Sequence, residues 1–170
     1  KTKVKSNIIN ARVYGGDWHL LCNSLHYINF FGYLSKSTIT DLKFRSLHSK
    51  YNLKRKGFVD YYGEINLLYK NGSTLNLSSN KYDKKFYFDL TSGNNKIKLN
   101  LDEYSILSNK KKTKVEKDYQ SNLTRKYYQS LLKYNKVNLP SMNDVLEENF
   151  LFLHALKNII KDKNIYKKIT

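Results

Sequence analysis

Apolar residues recur at two different periods along this chain, and the switches between them divide it into helix, sheet and helix. Leu21, Leu25, Ile28 and Phe31 are spaced by threes and fours, which puts them on one face of a helix running to about Leu34. Beyond Ser37 the period falls to two. Ile97, Leu99 and Leu101 alternate with Lys96, Lys98 and Asn100, so one face is buried and the other wet. The pattern predicts strands over 8–14, 38–47, 58–69, 74–78, 85–91 and 104–107. Phe86 and Phe88 fall on one face of the fifth, Tyr87 on the other. Asn71-Gly72 predicts a hairpin, because both central positions of a type I′ turn require positive φ. Ser92-Gly93-Asn94-Asn95 predicts the next turn. Residues 110–115 read as a polar break. The helical period then returns: Leu123, Tyr127, Leu131 and Tyr134 form one face of a helix over 119–134. After Pro140, Ser141 or Asn143 is placed to cap a last helix that turns Leu146, Phe150, Leu153, Leu156 and Ile160 inward.

These elements sum to one α+β domain over residues 1–170. A mostly antiparallel, open-faced β-sheet of five or six strands carries helices packed on one face. The other face is then solvated or covered by a partner. Tyrosine is abundant in the strand region. Tyr61, Tyr69 and Tyr87 either mark an interface, where aromatic residues are enriched, or pack under the domain's own helices.

The most distinctive segment is the entry to the first helix. Gly15-Gly16 ends a strand, and Asp17 is placed to accept the orphan N–H groups of the helix. His19, Cys22, Asn23, His26 and Asn29 then recur on one helical face. Such a stripe is costly to bury without partners, so it predicts a site or an organised polar network.

This segment resembles the helix that opens the C-terminal domain of the Gfo/Idh/MocA oxidoreductases. There a glycine pair precedes a helix with an Asp, a His four residues later, and often an Asp three after that. His26 matches the His, Cys22 stands at the first Asp, and Asn29 at the second. The tail is similar as well: Gln120-Ser121-Asn122-Leu123-Thr124 opens a helix, and Asn138-Leu139-Pro140-Ser141 leads into a closing one that runs to about Lys161. The resemblance implies the substrate-binding and oligomerisation half of an NAD(P)-dependent enzyme acting on a sugar or cyclitol hydroxyl or carbonyl. In that reading His26 is the general acid/base, since an imidazole titrates near neutral pH. Asn23 and Asn29 orient His26 or bind substrate hydroxyls, and Trp18 or Tyr14 stacks on the sugar's apolar face. Cys22 removes a charge from the site. Homo-oligomers are expected to form through the open sheet face.

The cofactor is expected elsewhere. NAD or NADP would be bound mainly by an N-terminal dinucleotide-binding domain, which this chain lacks. No GxGxxG and no Glu-Lys-Pro segment occur in it. By itself the fragment is expected neither to hold NAD(P) tightly nor to turn over. The chain opens on Lys1 rather than Met, as expected of an artificially expressed segment or a processed piece.

Composition changes this picture little. The net charge of +17 invites a nucleic-acid reading, which predicts steeply salt-dependent binding. Only four of the 31 basic residues are arginine, the side chain that reads bases. The runs Lys54-Arg55-Lys56 and Lys110-Lys111-Lys112 read as solvated loops, and no nucleic-acid partner is expected. No apolar run is long enough to span a membrane. The single cysteine fits a reducing cytoplasm.

Other chemistries have less support. His19, Cys22 and His26 have metal-ligand spacing but no fourth donor, and no metal is expected. Cys22 reads either as a nucleophile activated by His26 or as a small buried hydrophobe. His48 and His154 have no evident partner. The alternative to an enzyme half is a non-enzymatic binding or assembly domain with the same fold.

Overall fold

The computed structural model describes residues 8–108, 110–117, 119–136, 141–160 and 169. Strand β1 (Asn10–Gly16) leads into helix α1 (Leu20–Ser35). Seven strands follow: β2 (Ile39–Asn52), β3 (Val59–Tyr69), β4 (Thr74–Asn80), β5 (Phe86–Ser92), β6 (Asn95–Asn100), β7 (Ser105–Ser108) and β8 (Lys111–Lys114). Helices α2 (Gln120–Tyr134) and α3 (Met142–Ile159) are the last elements among the described residues. All eight strands form one open sheet in the order β2-β3-β4-β1-β5-β6-β7-β8. Only the β1–β4 pair is parallel; the others are antiparallel. The expected α+β architecture is therefore the one found. β1 lies inside the sheet, so the turn from β1 into α1 opens between β4 and β5.

Alternation decides which side chains go under the helices. Val13, Ile65 and Leu77 come from three neighbouring strands and meet Leu20, Ile28 and Phe31 of α1; all six are 0% exposed. Helix α3 extends this layer by burying Phe152 and Leu156, with the Phe152 ring 5.6 Å from Phe44 of β2. The tyrosines divide between the two faces of the sheet. Tyr69 is buried under α1, its ring 5.0 Å from Phe31, and Tyr61 packs against the edge of the core. Tyr87 lies on the open face, where the Lys98 ammonium sits 4.0 Å from its ring centroid.

The sheet has more strands than the pattern predicted. β8 falls where a polar break was expected, and all four of its residues are exposed. Its Lys-Lys-Thr-Lys sequence has no apolar alternation to detect. Backbone pairing to β7 makes the strand, and its lysines discourage a further strand from adding at this edge. β2 is longer than expected because three register shifts interrupt its alternation. The Asn71-Gly72 hairpin is at its expected place, but only Gly72 takes positive φ. Asn71 instead accepts the Ser73 N–H at 3.0 Å, giving a wider loop than a type I′ turn. The two-residue turn is Gly93-Asn94, with positive φ at Gly93 alone, as in type II′.

The C-terminal helices depart further. α3 buries Phe152 and Leu156, while Leu146, Phe150 and Leu153 point outward. Its apolar residues surround most of the helix, so periodicity did not single out a face. On α2, the face carrying Tyr127, Leu131 and Tyr134 is exposed. The side chain of Leu123, the Asn138-Leu139-Pro140 turn and the end of α3 at Lys161 lie outside the described residues.

Candidate functional site

The glycine pair exists because another segment crosses the end of β1. A Cβ on Gly15 would overlap the Lys85 carbonyl oxygen, and one on Gly16 the Asp83 carbonyl oxygen. Past this crossing the chain turns sharply: Asp17 and His19 adopt left-handed backbone, with φ of 50° and 60°. Each such residue costs about 1–3 kcal/mol unless its surroundings impose it.

The surroundings do so through side chains. Trp18 is 5% exposed. Its indole donates to the Ser78 carbonyl at 2.8 Å, its ring stacks on Phe86 at 5.4 Å, and Tyr27 meets it edge-on. That leaves Trp18 no free face for a sugar, which corrects its expected stacking role. Tyr14 is not free either. On the open sheet face it donates to Asp89 at 3.0 Å, accepts from Lys98 at 2.7 Å, and lies under the Arg12 guanidinium.

The cap of α1 is a second correction. Asp17 does not bind the first turn; it accepts the Tyr62 hydroxyl at 2.7 Å. Asp60 on β3 does the capping. Its carboxylate accepts the N–H groups of Leu21 at 2.9 Å, Cys22 at 3.3 Å and its own neighbour Tyr61 at 2.6 Å. Asp60 is 0% exposed. Burial pushes its carboxyl pKa up, and the three N–H donors and nearby His19 offset only part of that. No local pattern reveals this cap, because the residue that supplies it is 39 positions away.

Two tyrosines complete the cluster. Tyr51 and Tyr62 stack with centroids 4.5 Å apart, and the Tyr51 hydroxyl lies 3.3 Å from His19 Nδ1. Burial and the neighbouring carboxylates push the Tyr62 phenol up to about 12 and raise that of Tyr51 as well. Both remain protonated near neutral pH. Cys22 sits beside Asp60, and burial first, then that carboxylate, push its thiol up. A thiol held neutral is a poor nucleophile, so the reading of Cys22 as an activated nucleophile is set aside.

The predicted polar stripe is the outward face of α1. His26 is exposed one turn beyond Cys22. Asn23 does not reach it; its side-chain amide donates to the Trp18 carbonyl at 2.6 Å and helps hold the turn. Asn29 lies at the other edge of the stripe and lines a cavity of about 790 Å3 between α1, the start of β2 and α3. Its Oδ1 is buried without a hydrogen-bond partner. His26 therefore has no orienting group among the described residues. His19, Cys22 and His26 do not converge: no three His, Cys, Asp or Glu residues are grouped to hold a metal among the described residues. His48 and His154 are exposed. No described helix is long and apolar enough to cross a membrane.

A dinucleotide phosphate does not fit the start of α1. A helix N-terminus binds phosphate through free N–H groups, but those of Leu21 and Cys22 are already taken by Asp60.

No family model matches the sequence, and no curated protein matches it. Likeness appears in three dimensions. The chain is similar to aldose-aldose oxidoreductase from Caulobacter crescentus, at 11% identity and a TM-score of 0.59 over 89% of this chain and 54% of that one. It is similar to an oxidoreductase from Thermotoga maritima, at 14% identity and 0.58, over 89% and 51%. The super-repressor mutant of Gal80p from Saccharomyces cerevisiae matches at 14% identity and 0.56, over 89% and 55%. The chain spans about half the length of the solved structures it matches. These neighbours are of the Gfo/Idh/MocA type, and at such identities what is shared is the fold, that of their C-terminal domain.

Proposed function

We propose that this chain is the substrate-binding and oligomerisation half of an NAD(P)-dependent oxidoreductase acting on a sugar or cyclitol hydroxyl or carbonyl. The observation that carries the reading is the outward polar face of α1, on a fold shared with oxidoreductases about twice as long. The aldose named for one neighbour favours a polyhydroxylated substrate. The cofactor belongs to a separate dinucleotide-binding half, in accord with the misfit of a phosphate at α1. When bound there, the nicotinamide supplies or takes the hydride. In this reading His26 exchanges the proton at the substrate oxygen, while Asn29 and the His19–Tyr51 pair border the face on which the substrate lies. Homo-oligomers form through the open sheet face, around Tyr87 and Lys98.

In a protein carrying both halves, His26→Ala is expected to lower turnover by about 100-fold or more. His26 is exposed, so the substitution leaves the fold intact and the loss reports chemistry. Unchanged turnover removes His26 from the mechanism. A second reading, a non-enzymatic binding domain, is favoured by the neutral thiol of Cys22 beside an unoriented His26. It predicts ligand binding without turnover in the same two-half protein.

A further inference from the structure

The start of α1 presents an imidazole that the chemistry assigned to His26 does not use. His19 is exposed and sits at the N-cap of α1 in left-handed backbone, with φ of 60°. Residues held in such strained conformations cluster at ligand-binding and active sites. The His19 ring lies over that of Tyr51, with centroids 6.2 Å apart, and its Nδ1 is 3.3 Å from the Tyr51 hydroxyl. Tyr51 is itself fixed from two sides. It stacks on Tyr62, whose hydroxyl is tied to Asp17, and it pairs with Asp60 in the β2–β3 ladder.

This pair has a definite polarity. Burial first, then the Asp60 and Asp17 carboxylates, hold the Tyr51 phenol protonated. Its hydroxyl meets no acceptor but His19 among the described residues. A phenol that donates to Nδ1 leaves the proton of a neutral imidazole on Nε2. His19 Nε2 makes no hydrogen bond among the described residues, so the exposed ring offers an N–H to a ligand oxygen. His19 also stands seven residues before His26, two turns or about 10 Å along the helix, and residues seven apart share a helical face. His26 has no orienting group, whereas His19 is held from β2.

We propose that His19, positioned by Tyr51, is a second substrate-binding residue of this face, donating from Nε2 to an oxygen two turns away from the one His26 meets. A single sugar ring then engages one imidazole, and a molecule of two linked rings engages both. This inference rests on the sugar reading proposed for this chain and narrows its substrate to a glycoside of two or more rings.

The imidazole NMR signals of this chain, followed as glucose, maltose or cellobiose is added, test it. Both histidines are exposed, and His19→Asn and His26→Gln identify their signals; asparagine tolerates left-handed backbone. Each disaccharide is expected to move both signals along one binding curve. It is expected to bind about fivefold more tightly than glucose, as one added hydrogen bond gives. His19→Asn is expected to bring the disaccharides down to the affinity of glucose. Tyr51→Phe keeps the imidazole and the ring stack, and is expected to shrink the same preference. A disaccharide that moves His26 but not His19, or that keeps its advantage in His19→Asn, overturns the role of His19 while the sugar reading stands. A preference unchanged in Tyr51→Phe overturns Tyr51 as the positioning residue. Sugars that move neither signal overturn the sugar reading, and this inference with it.

Discussion

Helices α1 and α2 are nearly equal in length and both have a clear apolar face, yet the fold uses them in opposite ways. α1 buries Leu20, Ile28 and Phe31 completely, and its first turn is tied down by Asp60 from β3. α2 leaves Tyr127 and Leu131 more than 40% exposed, and Tyr119 at its N-cap makes no side-chain bond to the first turn. An amphipathic period thus says that a helix will form and which face is apolar. What that face meets is decided by the topology around it. α1 follows a central strand and so lands on the sheet, whereas α2 follows edge strand β8 and leaves it.

The largest expected difference between the helices is in packing. Phe31→Ala empties a fully buried site and should destabilise the chain by about 3–5 kcal/mol, read from urea unfolding. If the loss were much smaller, α1 would not be the anchor of the core. Next comes the cap. Asp60→Ala leaves buried N–H groups of α1 without an acceptor and should cost about 1–3 kcal/mol.

The same carboxylate carries a pH signature. Its pKa in the folded chain is raised by burial, so folding holds the proton more tightly than the unfolded chain does. The stability it contributes is full below the ordinary carboxylate range and is lost as pH rises through the raised folded value. Wild type should therefore lose stability relative to Asp60→Asn as pH rises across that window. A flat difference would mean that Asp60 is not desolvated.

α2 should respond in the opposite sense. Tyr119→Asp supplies the missing cap and should stabilise α2 by about 0.5–2 kcal/mol, seen as slower amide exchange in its first turn. The smallest effect is expected for Leu131→Ala, within about 0.5 kcal/mol for an exposed position when measured on the monomer. A large loss there would show α2 packed within its own chain.

Much of the sheet was legible from alternation, but on β6 the expected faces are not the ones found. Ile97 is exposed and Leu99 only half-buried, while Asn100, expected to be wet, is buried where its side chain accepts the Asp102 and Glu103 N–H groups. α1 was legible from its own period, since its polar stripe is the outward face and its leucines the inward one. β8 was not, because a strand made by backbone pairing alone leaves no side-chain pattern. The polar surroundings of the candidate site were only half visible. His19, Cys22 and His26 are neighbours along one helix, whereas Tyr51, Asp60 and Tyr62 reach the same place through β2 and β3. Asp60 was hidden most completely. Nothing in Val59-Asp60-Tyr61 distinguishes a buried helix cap from a surface acid, and Asp17 offered the local capping signal that the fold then used otherwise.

The way Asp60 holds α1 also bears on the order in which the chain can assemble. The first turn of α1 is closed by a residue 39 positions later, and Trp18 is pinned by a carbonyl 60 positions later. Contacts across such long loops form late and slow the search for the native state. The body of α1 can appear early from local bonds alone. The turn that presents His19 and Cys22 exists only once β3 and β4 are in place, so during folding the candidate site is finished last.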